Sequence, residues 1–126
     1  MGEKKLLKFI MCSCTGECPG FSKMNFWKLI NYVRNELDVE YAILHPQLCV
    51  TDGEAFLRDL LREGGGNSIY IIGACDPRMQ RKMFKDVFAE KGLDVDKLVV
   101  SLDLRNMETE EAMKKVAEAV NKLVGE

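Results

Sequence analysis

Five residues could do chemistry in this chain: Cys12, Cys14, Cys18, Cys49 and Cys75. The first three form a C-x-C-x3-C run, and the other two stand apart. Thiolates are soft ligands that suit zinc and iron–sulfur clusters. Close pairs of thiols also exchange with disulfides. An odd count argues against a complete disulfide framework. The run has neither the paired knuckles of a zinc ribbon nor the spacing of a ferredoxin, so spacing alone leaves metal binding and thiol redox both open. His45 is the only histidine and precedes Pro46. It is the obvious non-cysteine ligand, or the base for a cysteine nucleophile. The sequence shows no Ser-His-Asp set, paired-carboxylate site or phosphate loop beside them.

The rest of the composition narrows the setting. The chain has 126 residues, 47% apolar and 30% charged, which reads as one globular α/β domain over residues 1–126. That length buries a sound core without staples, so the cysteines are not needed to rescue the fold. The net charge is −2 and no long basic run occurs, so nucleic acid is not an expected partner. The apolar runs are strand-length, so no membrane span is expected. The opening MGEKKLLKFIMCSC reads as a first strand and not as a signal peptide. The cytoplasm is then the expected compartment, where thiols stay reduced and clustered cysteines mean metal or redox chemistry.

Periodicity supplies the elements that must position the thiols. Lys5 to Met11 reads as a strand. Asn25 caps a helix over Phe26 to Leu37, with Leu29, Ile30, Val33 and Leu37 on one face. Val39 to Leu44 is a second strand. Thr51 and Glu54 form a capping-box pair opening a helix to about Glu63. The glycine-rich stretch Gly64-Gly65-Gly66-Asn67 is a helix stop. Ser68 to Ala74 is the most apolar strand, as a buried central position requires. Asp76 and Pro77 open a third helix carrying Met79, Met83, Phe84, Val87 and Phe88, which Gly92 ends. Lys97 to Leu104 is a fourth strand. Thr109 caps a last helix with Ala112, Val116, Ala119, Val120 and Leu123 inward. There is no internal repeat, low-complexity tract or interdomain linker. The alternation predicts a three-layer fold with a four-stranded parallel sheet in the order 2-1-3-4, a shortened flavodoxin- or Rossmann-like sheet whose switch point lies between strands 1 and 3.

On this scaffold all five cysteines are expected in βα loops, with Cys12 and Cys14 after strand 1. Such loops share the carboxyl edge of a parallel sheet, where binding sites form. Cys49 and Cys75 precede helix N-termini, whose N–H groups and dipole favour a thiolate. Arg78 and Arg105 are expected at the same edge, either solvated or ion-paired, or else offsetting the charge of a thiolate-ligated cluster or meeting an acidic partner. Met11, Met24, Met79, Met107, Phe21 and Trp27 fall nearby, mostly as core filler.

The segments MCSC, QLCVTDG and GACDPRM, with LDLRN after strand 4, resemble the N-terminal iron–sulfur domain of the long flavoprotein component of heterodisulfide reductase over nearly the whole chain. The Cys-x-Pro-Arg segment is the most specific part. The resemblance implies a 4Fe-4S cluster held by Cys12, Cys14, Cys49 and Cys75, with a 2Fe-2S cluster or zinc as alternatives. It also implies an electron-transfer component of an oxidoreductase complex, not an enzyme on its own, whose partner is a flavoprotein or a hydrogenase-type protein. Cys18 has no counterpart in that pattern. The chain also lacks that flavoprotein's GxGxxG loop and ferredoxin CxxCxxC run, so it resembles a stand-alone copy of one module. A more distant resemblance is to the delta subunit of methyl-viologen-reducing hydrogenase, which has extra cysteines after strands 1 and 3. Zinc binding and thiol–disulfide exchange remain the competing expectations.

Overall fold

A computed structural model describes residues 6–13, 19–45, 48, 51–61, 67–74 and 77–125. Four strands, β1 (Leu6–Cys12), β2 (Tyr41–His45), β3 (Ser68–Ala74) and β4 (Val99–Asp103), pair in parallel in the order β2-β1-β3-β4. The helices are α1 (Phe26–Glu36), α2 (Thr51–Leu60), α3 (Pro77–Glu90), α4 (Val95–Leu98) and α5 (Thr109–Val124). The predicted strand order is therefore the observed one. A 3-10 turn over Pro19–Phe21 precedes α1.

Side-chain alternation splits the core into two layers. Leu7, Phe9 and Met11 point toward α1 and α5, meeting Leu29, Val33, Val116 and Val120. Ile10 and Cys12 point toward the other side, meeting Leu57 and Leu61, Phe84, Val87 and Phe88, and Leu98. The sheet is thus covered by α1 and α5 on one face and by α2, α3 and α4 on the other. The two central strands, β1 and β3, are mostly buried because helices cover both faces.

Several boundaries differ from the sequence expectation. The fourth strand starts at Val99, because Asp94 accepts a hydrogen bond from the Asp96 N–H at 2.9 Å and turns the preceding residues into α4. Thr109 is the first residue of α5 and not its cap; its hydroxyl accepts the Asn25 N–H at 2.8 Å and so ties together the starts of α1 and α5. α2 likewise begins at Thr51 itself. Other signals stand. The Asn25 carboxamide accepts the Lys28 N–H at 3.1 Å. Gly92 has φ +72°, and the Gly92 and Leu93 N–H groups bond the Ala89 and Phe88 carbonyls, closing α3 in a Schellman motif. The expected Asp76 cap and the 64–66 helix stop lie outside the described residues.

The charges give a pH profile. Asp103, Asp96, Glu90 and Glu110 each accept a hydrogen bond from a cation (Arg105, Arg81, Arg58 and Lys28 respectively), and this holds each below its ordinary carboxylate range. A depressed folded pKa contributes stability above the unfolded value and loses it as pH falls through the folded one. At the other extreme, burial pushes Tyr41 up to about 12 and also raises Tyr70. A raised folded value contributes stability below the unfolded value of 10.0 and loses it as pH climbs toward 12. The urea midpoint is therefore expected to be flat from about pH 6 to 9, to fall below about pH 4 and to fall again above about pH 10. Added salt should shrink the acid arm, because those ion pairs are exposed. An alkaline limb starting below pH 9 would contradict the tyrosine assignment.

Candidate metal centre

β1 runs one residue further than its sequence suggests. Cys12 is its last residue, 7% exposed, and is register partner to His45 at the end of β2. The expectation that Cys12 lies in a loop is thereby corrected. β2 extends through His45, whose carbonyl still accepts the Ser13 N–H at 2.9 Å, so pairing carries β1 to its cysteine. The Cys12 side chain packs in the α2/α3 layer among buried residues that include Leu48, Leu57, Ile72 and Ala74.

The Cys12 sulfur accepts the backbone N–H of Leu48 at 3.4 Å. Leu48 is 2% exposed and immediately precedes Cys49 in the chain. An N–H aimed at a cysteine sulfur supports its thiolate form and is the contact by which proteins raise a cluster's reduction potential. Gly53 in α2 lies directly against the backbone of the Leu48 segment. A Cβ there would land on the Leu48 carbonyl.

His45 shares the face of Cys12, since register partners in a parallel pair project to the same side. Its ring stacks against Phe56 of α2, with centroids 4.7 Å apart. Ala74 ends β3 in the same layer, one residue before Cys75 in the chain. Cys14, Cys18, Cys49 and Cys75 lie outside the described residues. Among the described residues, no group of three His, Cys, Asp or Glu side chains could hold a metal ion.

Arg105 bonds its neighbour Asp103 with Nε at 2.9 Å and Nη2 at 2.6 Å, and its stem lies across Gly20. That is the ion-paired alternative. The turn it occupies is set by Asn106, with φ 62°, whose N–H bonds the Gly20 carbonyl and joins the β4 loop to the segment before α1. Arg78 is exposed in the first turn of α3. Of the apolar residues expected near this edge, Met11, Met24 and Phe21 are buried on the α1/α5 face, whereas Trp27 is 67% exposed.

Sequence reasoning missed the Leu48 N–H at the site and, elsewhere, in α3, the burial of Gln80. The Leu48 N–H carries no side-chain signal at all. Gln80 is fully buried one turn into α3. Its signal was available: it falls in the inward stripe with Phe84, Val87 and Phe88, where an apolar residue would be ordinary.

No family model matches this chain, and no curated protein matches it either. No helix among the described residues is long and apolar enough to cross a membrane.

Proposed function

We propose that this domain is an electron-transfer module carrying a 4Fe-4S cluster on Cys12, Cys14, Cys49 and Cys75 at the carboxyl edge of its sheet. One observation carries the reading: the buried Cys12 sulfur accepts the N–H of the residue before Cys49. The donor set fits the group. The thiols are soft ligands, the sulfur already receives a backbone N–H, and α2 and α3, which follow Cys49 and Cys75, both pack on the face that Cys12 enters. Cys18 is left out of the proposed ligand set because it has no counterpart in the pattern of the family that the chain resembles.

The cluster would supply one-electron chemistry. The protein's part is to hold the thiolates, to keep Cys12 in an apolar layer away from water, and to aim the Leu48 N–H at its sulfur. The electrons would pass to or from a flavoprotein or hydrogenase-type partner in the cytoplasm. Arg78, at the start of α3, would offset the cluster's negative charge; Arg105 would act at this edge only through its pair with Asp103.

A second reading is supported by His45 beside Cys12. A mixed nitrogen and sulfur set suits zinc. Anaerobic purification separates the two. A brown protein with about four irons per chain and a reducible electron-paramagnetic signal is expected. Stoichiometric zinc without iron, after anaerobic reconstitution with both metals, would establish the zinc reading instead.

A further inference from the structure

The outer face of α3 carries Arg78, Arg81, Lys82 and Lys85, all exposed. Their spacing is i, i+3, i+4 and i+7, so they form one stripe beginning at the cysteine end of the helix. The chain as a whole is acidic, at −2, so this face runs against the net charge. It also runs against the helix itself. The first turn of α3 has no acidic residue, and cations at a helix N-terminus oppose the dipole. α5 does the reverse, with Glu110 and Glu111 in its first turn and Lys122 in its last. The helix dipole therefore does not account for the stripe.

Its neutralisation is partial. Arg81 forms a two-bond pair with Asp96, at 2.6 and 2.8 Å. Lys82 and Lys85 make no ion pair with a described residue, even though Asp86 is exposed four residues after Lys82. Beside the stripe lies a cleft of about 290 Å³ with Val95 and Val99 in its wall and Arg78, Arg81, Asp96 and Ser101 around it. A cationic rim next to a small apolar recess matches an acidic surface that presents one apolar side chain.

We infer that the α3 stripe and its cleft are the docking surface for an acidic partner protein. In calling that partner a redox protein, this inference rests on the function proposed above. The stripe starts at the edge assigned to the cluster, so the part of a partner seated at its Arg78 end would lie nearest to it. Complementary charge would mainly speed encounter and fix orientation, and would weaken with salt.

The test uses the full chain and a fluorescein-labelled poly-L-glutamate of about 20 residues, followed by anisotropy at 20 and 150 mM NaCl. Salt-sensitive binding is expected. The double variant Lys82→Glu/Lys85→Glu should weaken it by about tenfold, while Lys114→Glu/Lys122→Glu on α5 should change it by less than about twofold. Equal losses in both variants, or no binding at 20 mM salt, overturn the surface. A single-stranded oligonucleotide of equal charge that binds tenfold more tightly than the peptide overturns the protein occupant in favour of nucleic acid. Circular dichroism melts confirm that the exposed substitutions leave the fold intact. Binding is read without electron transfer, so colourless protein that still binds the peptide sinks only the cluster reading. Brown protein that ignores the peptide sinks only the docking surface.

Discussion

Replacing Cys12 with alanine is expected to take the anaerobically reconstituted protein from about four irons per chain to fewer than one, with its fold retained. Cys12 is a small side chain in an apolar layer that Leu48, Leu57, Ile72 and Ala74 still fill, so its loss costs about 1–2 kcal/mol. A domain of this size tolerates that. The serine variant separates packing from ligation. Its hydroxyl keeps nearly the same volume and still accepts the Leu48 N–H, but oxygen is a hard donor and a poor cluster ligand. Cys12→Ser should therefore melt within a few degrees of the parent and still lose its iron. Cys18→Ala should keep iron and colour. Iron retained in full by Cys12→Ala, with loss in Cys18→Ala, would move the ligand set to the residues that follow β1.

The second large effect is expected at Gly53. Alanine is ordinarily the better helix residue, by about 1 kcal/mol, so Gly53→Ala in α2 would be stabilising if only propensity counted. Here the new methyl meets the Leu48 carbonyl, a backbone atom that cannot swing aside. Either α2 or the Leu48 segment must move, and the cost of such overpacking is about 1–3 kcal/mol. The movement pulls the Leu48 N–H from the Cys12 sulfur. The variant should therefore show a lower urea midpoint and, where a cluster still assembles, a lower reduction potential than the parent, since a donor to sulfur has gone. A midpoint at or above the parent's would mean that the contact relaxes freely. An unchanged potential would mean that the Leu48 N–H does not act on the cofactor.

Gly73 shows the same dependence on small size in a different setting. A Cβ there would come 2.6 Å from the Leu104 side chain and 3.0 Å from the Met11 sulfur. Both are fully buried, so the strand that ends just before Cys75 owes its fit to the missing methyl. Small residues at Gly53 and Gly73 let neighbouring segments close around the carboxyl edge. Neither glycine is needed for a positive φ; that role falls to Gly92 and Asn106.

What the chain's residues determined by themselves is the scaffold. The alternation of two-residue and 3.6-residue apolar periods, with the Asn25 cap and the Gly92 stop, is local physics and is legible residue by residue. It predicted four parallel strands in the order 2-1-3-4, and with them the edge to which the thiols belong. The tertiary structure decided the details that govern chemistry. Pairing with His45 turned Cys12 from a loop residue into the end of a strand, because a ladder hydrogen bond needs a partner that no local pattern reveals. The Leu48 N–H reached the Cys12 sulfur across 36 positions of chain, a contact no local pattern reveals. The Asn106 N–H bonded the Gly20 carbonyl and so joined the β4 loop to the segment before α1. Each of these is a meeting of groups far apart in the chain or a backbone contact without a side-chain signature, and such meetings are settled only when the layers pack.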